Sequence, residues 1–113
     1  MNREKLQDAG VDLKKGLRNF SGNQLIYNRF LMSYTTDSHL ENCKKVYKEK
    51  DDVQLEEQLQ ALQRLVGKLG MEDFAGQCQQ AIDALQAGEG QKVSDTLEEM
   101  QTTHEKVIAA LKF

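Results

Sequence analysis

Residues 55 to 70 read Leu55-Glu-Glu-Gln-Leu59-Gln-Ala-Leu62-Gln-Arg-Leu-Val66-Gly-Lys-Leu69-Gly70. Leu55, Leu59, Leu62, Val66 and Leu69 recur in steps of four, three, four and three, so one helix gathers them into a single stripe. Leu65 widens the stripe, and the glutamine, glutamate and lysine between these positions suit a solvated face. Gly70 stops the helix as a left-handed cap. A stripe of this width has to be covered by other helices, and the flanking sequence supplies them.

Downstream, Phe74, Cys78, Ala81, Ile82 and Leu85 share one face of a helix expected over about Met71 to Ala87. Gly88-Glu89-Gly90 makes a tight connection to a last helix that turns Val93, Leu97, Met100, Val107 and Leu111 inward. Upstream, Asp51 or Asp52 caps the central helix. Ser38-His39-Leu40-Glu41 has the form of a capping box opening a helix to about Lys50, with Leu40, Cys43, Val46 and Tyr47 inward. Before it, Asn23 caps a helix over about Gln24 to Thr35, whose apolar positions are Ile26, Tyr27, Phe30, Leu31 and Tyr34. Gly10-Val11-Asp12 opens a short helix carrying Leu13 and Leu17 and ending at Phe20. Residues 1–9 form an N-terminal tail or a further helix.

The expected fold is therefore all-α: an antiparallel four-helix bundle with one or two short additional N-terminal helices, in a single domain over 1–113 with its bundle core at about 23–112. Composition agrees. The chain has 113 residues, no proline, 39% apolar, 29% charged and only 6% aromatic residues, which suits aliphatic helix packing without disulfide or metal support. A net charge of −3 and scattered Lys and Arg argue against a nucleic-acid partner. No apolar run reaches membrane-spanning length and no signal peptide is visible, so a cytoplasmic location is expected. Cys43 and Cys78 fall on apolar faces and are expected as buried thiols.

Residues with chemistry are few. No serine stands in a nucleophile elbow, and there is no phosphate loop or dinucleotide fingerprint. The acidic pairs Asp51-Asp52, Glu56-Glu57 and Glu98-Glu99 lie on polar faces. His39 follows the capping serine and is expected exposed at a helix start. His104 continues the stripe of the last helix and borders the core, with no second ligand at metal spacing. No enzyme activity, metal or cofactor is expected.

The order of motifs resembles the histidine phosphotransfer (HPt) domain family over about residues 10 to 112. That family's signature helix carries Ala-His-x-Leu-Lys-Gly, a run of small residues and then Leu-Gly. Leu62, Gly67, Leu69 and Gly70 fit this frame, and Asp51 fits the Gly-Asp that opens the helix. Gly10-Val-Asp-x-x-x-Gly16-Leu-x-x-Phe20 with Gly22-Asn23 looks like the family's N-terminal segment. Phe74-x-x-x-Cys78-x-x-x-Ile82, then Ala87-Gly88, looks like its C-terminal half. Gln60 occupies the place of the phosphorylatable histidine, Gln63 that of a supporting lysine and Arg64 that of a glycine, while Leu65 and Val66 replace small residues.

A glutamine amide is no nucleophile at neutral pH, whereas a neutral imidazole is. The resemblance thus implies a pseudo-HPt phosphorelay domain, itself unphosphorylated, that docks the receiver domain of a response regulator or hybrid histidine kinase. Gln60, Gln63, Arg64 and Gly67 stand three and four residues apart, beside the core stripe, and would centre that surface. Two alternatives stay open: an active phosphotransfer protein using His104, and a helical interaction bundle, such as a homodimer, outside phosphorelays.

Overall fold

The computed structural model describes residues 1–113 and is helical almost throughout. Seven helices follow one another: α1 (Arg3–Asp8), α2 (Leu13–Asn19), α3 (Gln24–Ser33), α4 (His39–Lys48), α5 (Asp52–Lys68), α6 (Glu72–Gln86) and α7 (Gly90–Lys112). A 3-10 turn, Tyr34–Thr36, separates α3 from α4. No helix is long and apolar enough to cross a membrane.

The helix starts follow from side-chain acceptors. Asn2, Asp12, Asn23 and Asp51 each accept a hydrogen bond from the backbone N–H three residues on, which satisfies a donor the helix leaves unpaired. The expected box at Ser38 does not form. Ser38 makes no cap hydrogen bond. The Asp37 carboxylate takes both the His39 N–H (2.9 Å) and the His39 ring Nδ1 (2.7 Å), so an ionised acceptor one residue earlier displaces the hydroxyl. His39, expected exposed, is half-buried through that pairing.

Alpha5 ends as the glycine required. Gly70 has φ of 82°, the Met71 N–H bonds to the Val66 carbonyl (2.9 Å), and the Gly70 N–H bonds to Gly67 (3.1 Å). The same glycine lets a distant loop approach. The Asp12 N–H bonds to the Gly70 carbonyl at 2.7 Å, and a Cβ on Gly70 would stand 2.5 Å from the Asp12 carbonyl oxygen. Gly16 performs a similar task where the Tyr27 ring crosses α2; the Tyr27 hydroxyl reaches on to the Leu69 carbonyl at 2.7 Å. Burial there pushes the Tyr27 hydroxyl up to about 12.

Alpha4 to α7 pack in chain order, each on the next. Alpha5 and α6 run in opposite directions, since Gln63 meets Gln79 while Glu56 meets Gln86. The stripe Leu55, Leu59, Leu62, Val66 and Leu69 is buried, facing Phe74, Cys78, Ala81 and Ile82 of α6 and Val93, Leu97, Met100, Val107 and Leu111 of α7 within one continuous core. Cys43 and Cys78 are buried free thiols, each pushed up to about 12 by desolvation. Residues 3–8 form a helix rather than a tail. Leu6 enters the core, and the Asn2 N–H bonds to the Ala110 carbonyl of α7 (2.8 Å).

Alpha3 departs from the expected single inward face. Tyr27, Leu31 and Tyr34 are buried, but Ile26 and Phe30 point outward at 40% and 49% exposure. Leu25 (70%) and Met32 (41%) are exposed as well. Alpha3 is apolar on nearly every side, and only one side has a neighbour to bury it.

Candidate functional site

The four residues singled out on α5 lie together on its outward face. Gln60 and Arg64 are exposed, and Gln63 and Gly67 are half-exposed. Their spacing of three and four places them in a row one step round the helix from the buried stripe. Gly67 leaves a notch in the row: a Cβ there would meet no atom within 4 Å.

Gln63 is oriented by a relay of amides. Its Nε2 donates to Gln79 Oε1 of α6 at 2.8 Å, and Gln79 Nε2 donates to the Asp83 carboxylate at 2.9 Å. The Gln63 amide oxygen is left without a protein donor and faces outward as an acceptor. Arg64 has no carboxylate within ion-pair distance, nor do Arg18 or Lys68 near the same end of α5. Arg64 is therefore a free cation within the row.

The N-terminal helices continue this surface beyond Gly67. Asn19 at the end of α2 donates from Nδ2 to the Lys68 carbonyl (3.1 Å) and to the Gly67 carbonyl (3.4 Å). Lys68 Nζ lies 5.1 Å from the centre of the Phe20 ring, and Phe20 packs on Phe30 with ring centroids 5.1 Å apart. The half-exposed Phe30 is thus joined through Phe20 and Lys68 to the Gly67 end of the row. No sequence motif marks Asn19, Phe20, Phe30 or Lys68 as part of this surface. The one signal available was the surplus of apolar residues around α3.

His104 belongs to a different place. It sits on α7 against the 3-10 turn and α6, its ring edge-on to Tyr34 (5.4 Å) and Phe74 (6.4 Å). The Tyr34 hydroxyl lies 2.7 Å from His104 Nδ1. No other acceptor is in reach of that hydroxyl, so Tyr34 is assigned as the donor, which leaves the ring proton on Nε2. Burial holds the imidazole below its ordinary range, and burial likewise raises the Tyr34 phenol. With Nδ1 accepting from Tyr34, the ring is a neutral imidazole in this geometry. No group of three His, Cys, Asp or Glu side chains converges to hold a metal ion.

Comparison of the chain with protein-family models, with curated proteins and with solved structures found no match.

Proposed function

We propose that this chain is a pseudo-HPt phosphorelay domain: a docking module for a receiver domain of a response regulator or hybrid histidine kinase, neither enzymatic nor phosphorylated itself. In this reading α4 to α7 form the family's antiparallel four-helix bundle, α1 to α3 are its N-terminal additions, and the protein works in the cytoplasm without nucleic acid or membrane. The motif resemblance spans residues 10 to 112. The observation that carries the reading is the α5 row itself. It is an exposed, notched face that runs from Gln60 to Gly67, with no nucleophile on it, unpaired Arg64 within it and an apolar edge beyond Gly67 at Phe20 and Phe30.

The chemistry fits docking better than transfer. Phosphoryl transfer needs an in-line nucleophile and positive charge on the moving group. Gln60 offers an amide, while Arg64 keeps a cation for an acidic partner surface. Apolar anchors beside unpaired cations are what a protein interface of modest size uses for affinity and steering.

The test mixes the purified chain with a phosphorylated receiver domain from the same cell and follows binding and acid-labile phosphate in parallel. Binding without transfer is expected, weakened about tenfold or more by Arg64→Glu. Label on this chain that survives Gln60→Ala and vanishes with His104→Ala would overturn the proposal in favour of an active phosphotransfer protein. The exposed Leu25, Ile26, Phe30 and Met32 favour the homodimer as the second reading. A concentration-dependent dimer in sedimentation, with no affinity for receivers, would select it.

A further inference from the structure

Away from α5, the seam between α4 and α7 is open. A cleft of about 280 Å³ lies between them, floored by Leu97 and Tyr47. The cause is in the residues. Where a closed helix seam would set aliphatic side chains opposite one another, α7 presents Ser94, Glu98 and Gln101 and α4 presents Lys44 and Lys48. The two walls are bridged by a long side chain rather than by packing, with Lys44 Nζ donating to Gln101 Oε1 at 2.9 Å.

The charges of the cleft are asymmetric. Lys44 and Lys48 stand one turn apart on the same wall, and neither has a carboxylate within ion-pair distance. Glu98 is the single acid lining it. Beyond Gln101 the seam continues into a second hollow, where Asp37 and Glu41 stand beside Lys44 and His104. An anionic head is therefore favoured on the Lys44–Lys48 wall, on the Lys48 side away from Asp37 and Glu41, with an apolar body resting on Tyr47 and Leu97.

We infer that the α4–α7 cleft is a binding site for a small aromatic carboxylate or sulfonate, its anionic group held by Lys44 and Lys48 and its ring on Tyr47 and Leu97. The volume stands at the small end of ligand pockets and suits one or two fused rings. Two ammonium groups would supply charge-assisted hydrogen bonds to the head, with Lys44 exchanging its neutral amide partner for an ionic one. The site shares no residue with the α5 row, so its occupancy does not depend on how that row functions.

The test titrates the full chain with 2-naphthoate, followed by calorimetry and by backbone amide shifts. Saturable one-to-one binding below about 1 mM is expected, with shifts gathered at Lys44, Lys48, Ser94 and Leu97. The double variant Lys44→Gln, Lys48→Gln should weaken it more than about tenfold, and Glu98→Gln should tighten it. The neutral 2-naphthol should bind more than about tenfold more weakly than the anion. Unchanged melting of the double variant excludes unfolding as the cause. No saturation, equal binding to the double variant, or shifts centred on Leu25 and Phe30 would each overturn the proposal. The last would assign the probe to the exposed apolar side of α3.

Discussion

Lys50 holds a left-handed conformation, φ 59°, in the turn between α4 and α5, where its N–H bonds to the Tyr47 carbonyl at 3.1 Å. A side chain there costs about 1 kcal/mol relative to glycine. Lys50→Gly should raise stability by about 0.5–1 kcal/mol in a urea melt, less the entropy glycine adds to the unfolded chain. His104 makes a second single-residue prediction. Burial lowers its pKa in the folded state, so on acidification the unfolded chain takes up the proton first. Its contribution is complete above the ordinary value of 6.5 and is lost as pH falls from there toward the lowered folded value. Melts between about pH 5 and 7.5 should show stability rising with pH, and His104→Gln should flatten that slope.

At the scale of the element, α5 and its cap form one unit. The stripe Leu55 to Leu69 specifies which side is buried, and Gly70 specifies where the helix stops. Gly70→Ala would place a methyl group at positive φ and 2.5 Å from the Asp12 carbonyl oxygen. A loss of about 2–3 kcal/mol is expected, read as a lower urea midpoint with little change in m-value. Alpha3 shows the opposite condition. Its apolar residues surround the helix, so periodicity alone placed Ile26 and Phe30 inward with Tyr27, Leu31 and Tyr34, and the fold turned the first two outward. At the start of α4, the Ser38 reading failed for a related reason: a serine cap is a local preference worth about 1 kcal/mol, and the neighbouring carboxylate of Asp37 is the stronger acceptor.

Across the whole molecule, the candidate surface joins elements far apart in sequence. Asn19 reaches Lys68, whose ammonium lies over Phe20, and Phe20 packs on Phe30. Phe30→Asp and Gly67→Leu separate the readings of this surface. Both positions are open to solvent or to space, so each variant should keep its melting temperature within a few degrees. In the receiver-docking reading each lowers receiver affinity about tenfold or more. In the dimer reading Phe30→Asp alone shifts the chain to monomer, while Gly67→Leu leaves its sedimentation unchanged.

The all-helical class, the boundaries of α5 to α7, the buried thiols and the outward placement of Gln60, Gln63, Arg64 and Gly67 were written in the sequence. Each follows from periodicity or from a cap a few residues long, and such signals are complete within one helix. The docking of residues 3–8 on α7, the outward turn of Ile26 and Phe30, the bond from Tyr34 to His104 and the open seam between α4 and α7 were decided by tertiary structure. Each depends on which surfaces meet across tens of residues. A helical wheel ranks the sides of a helix by polarity, but only the packed neighbours determine which apolar side is covered and which stays in water.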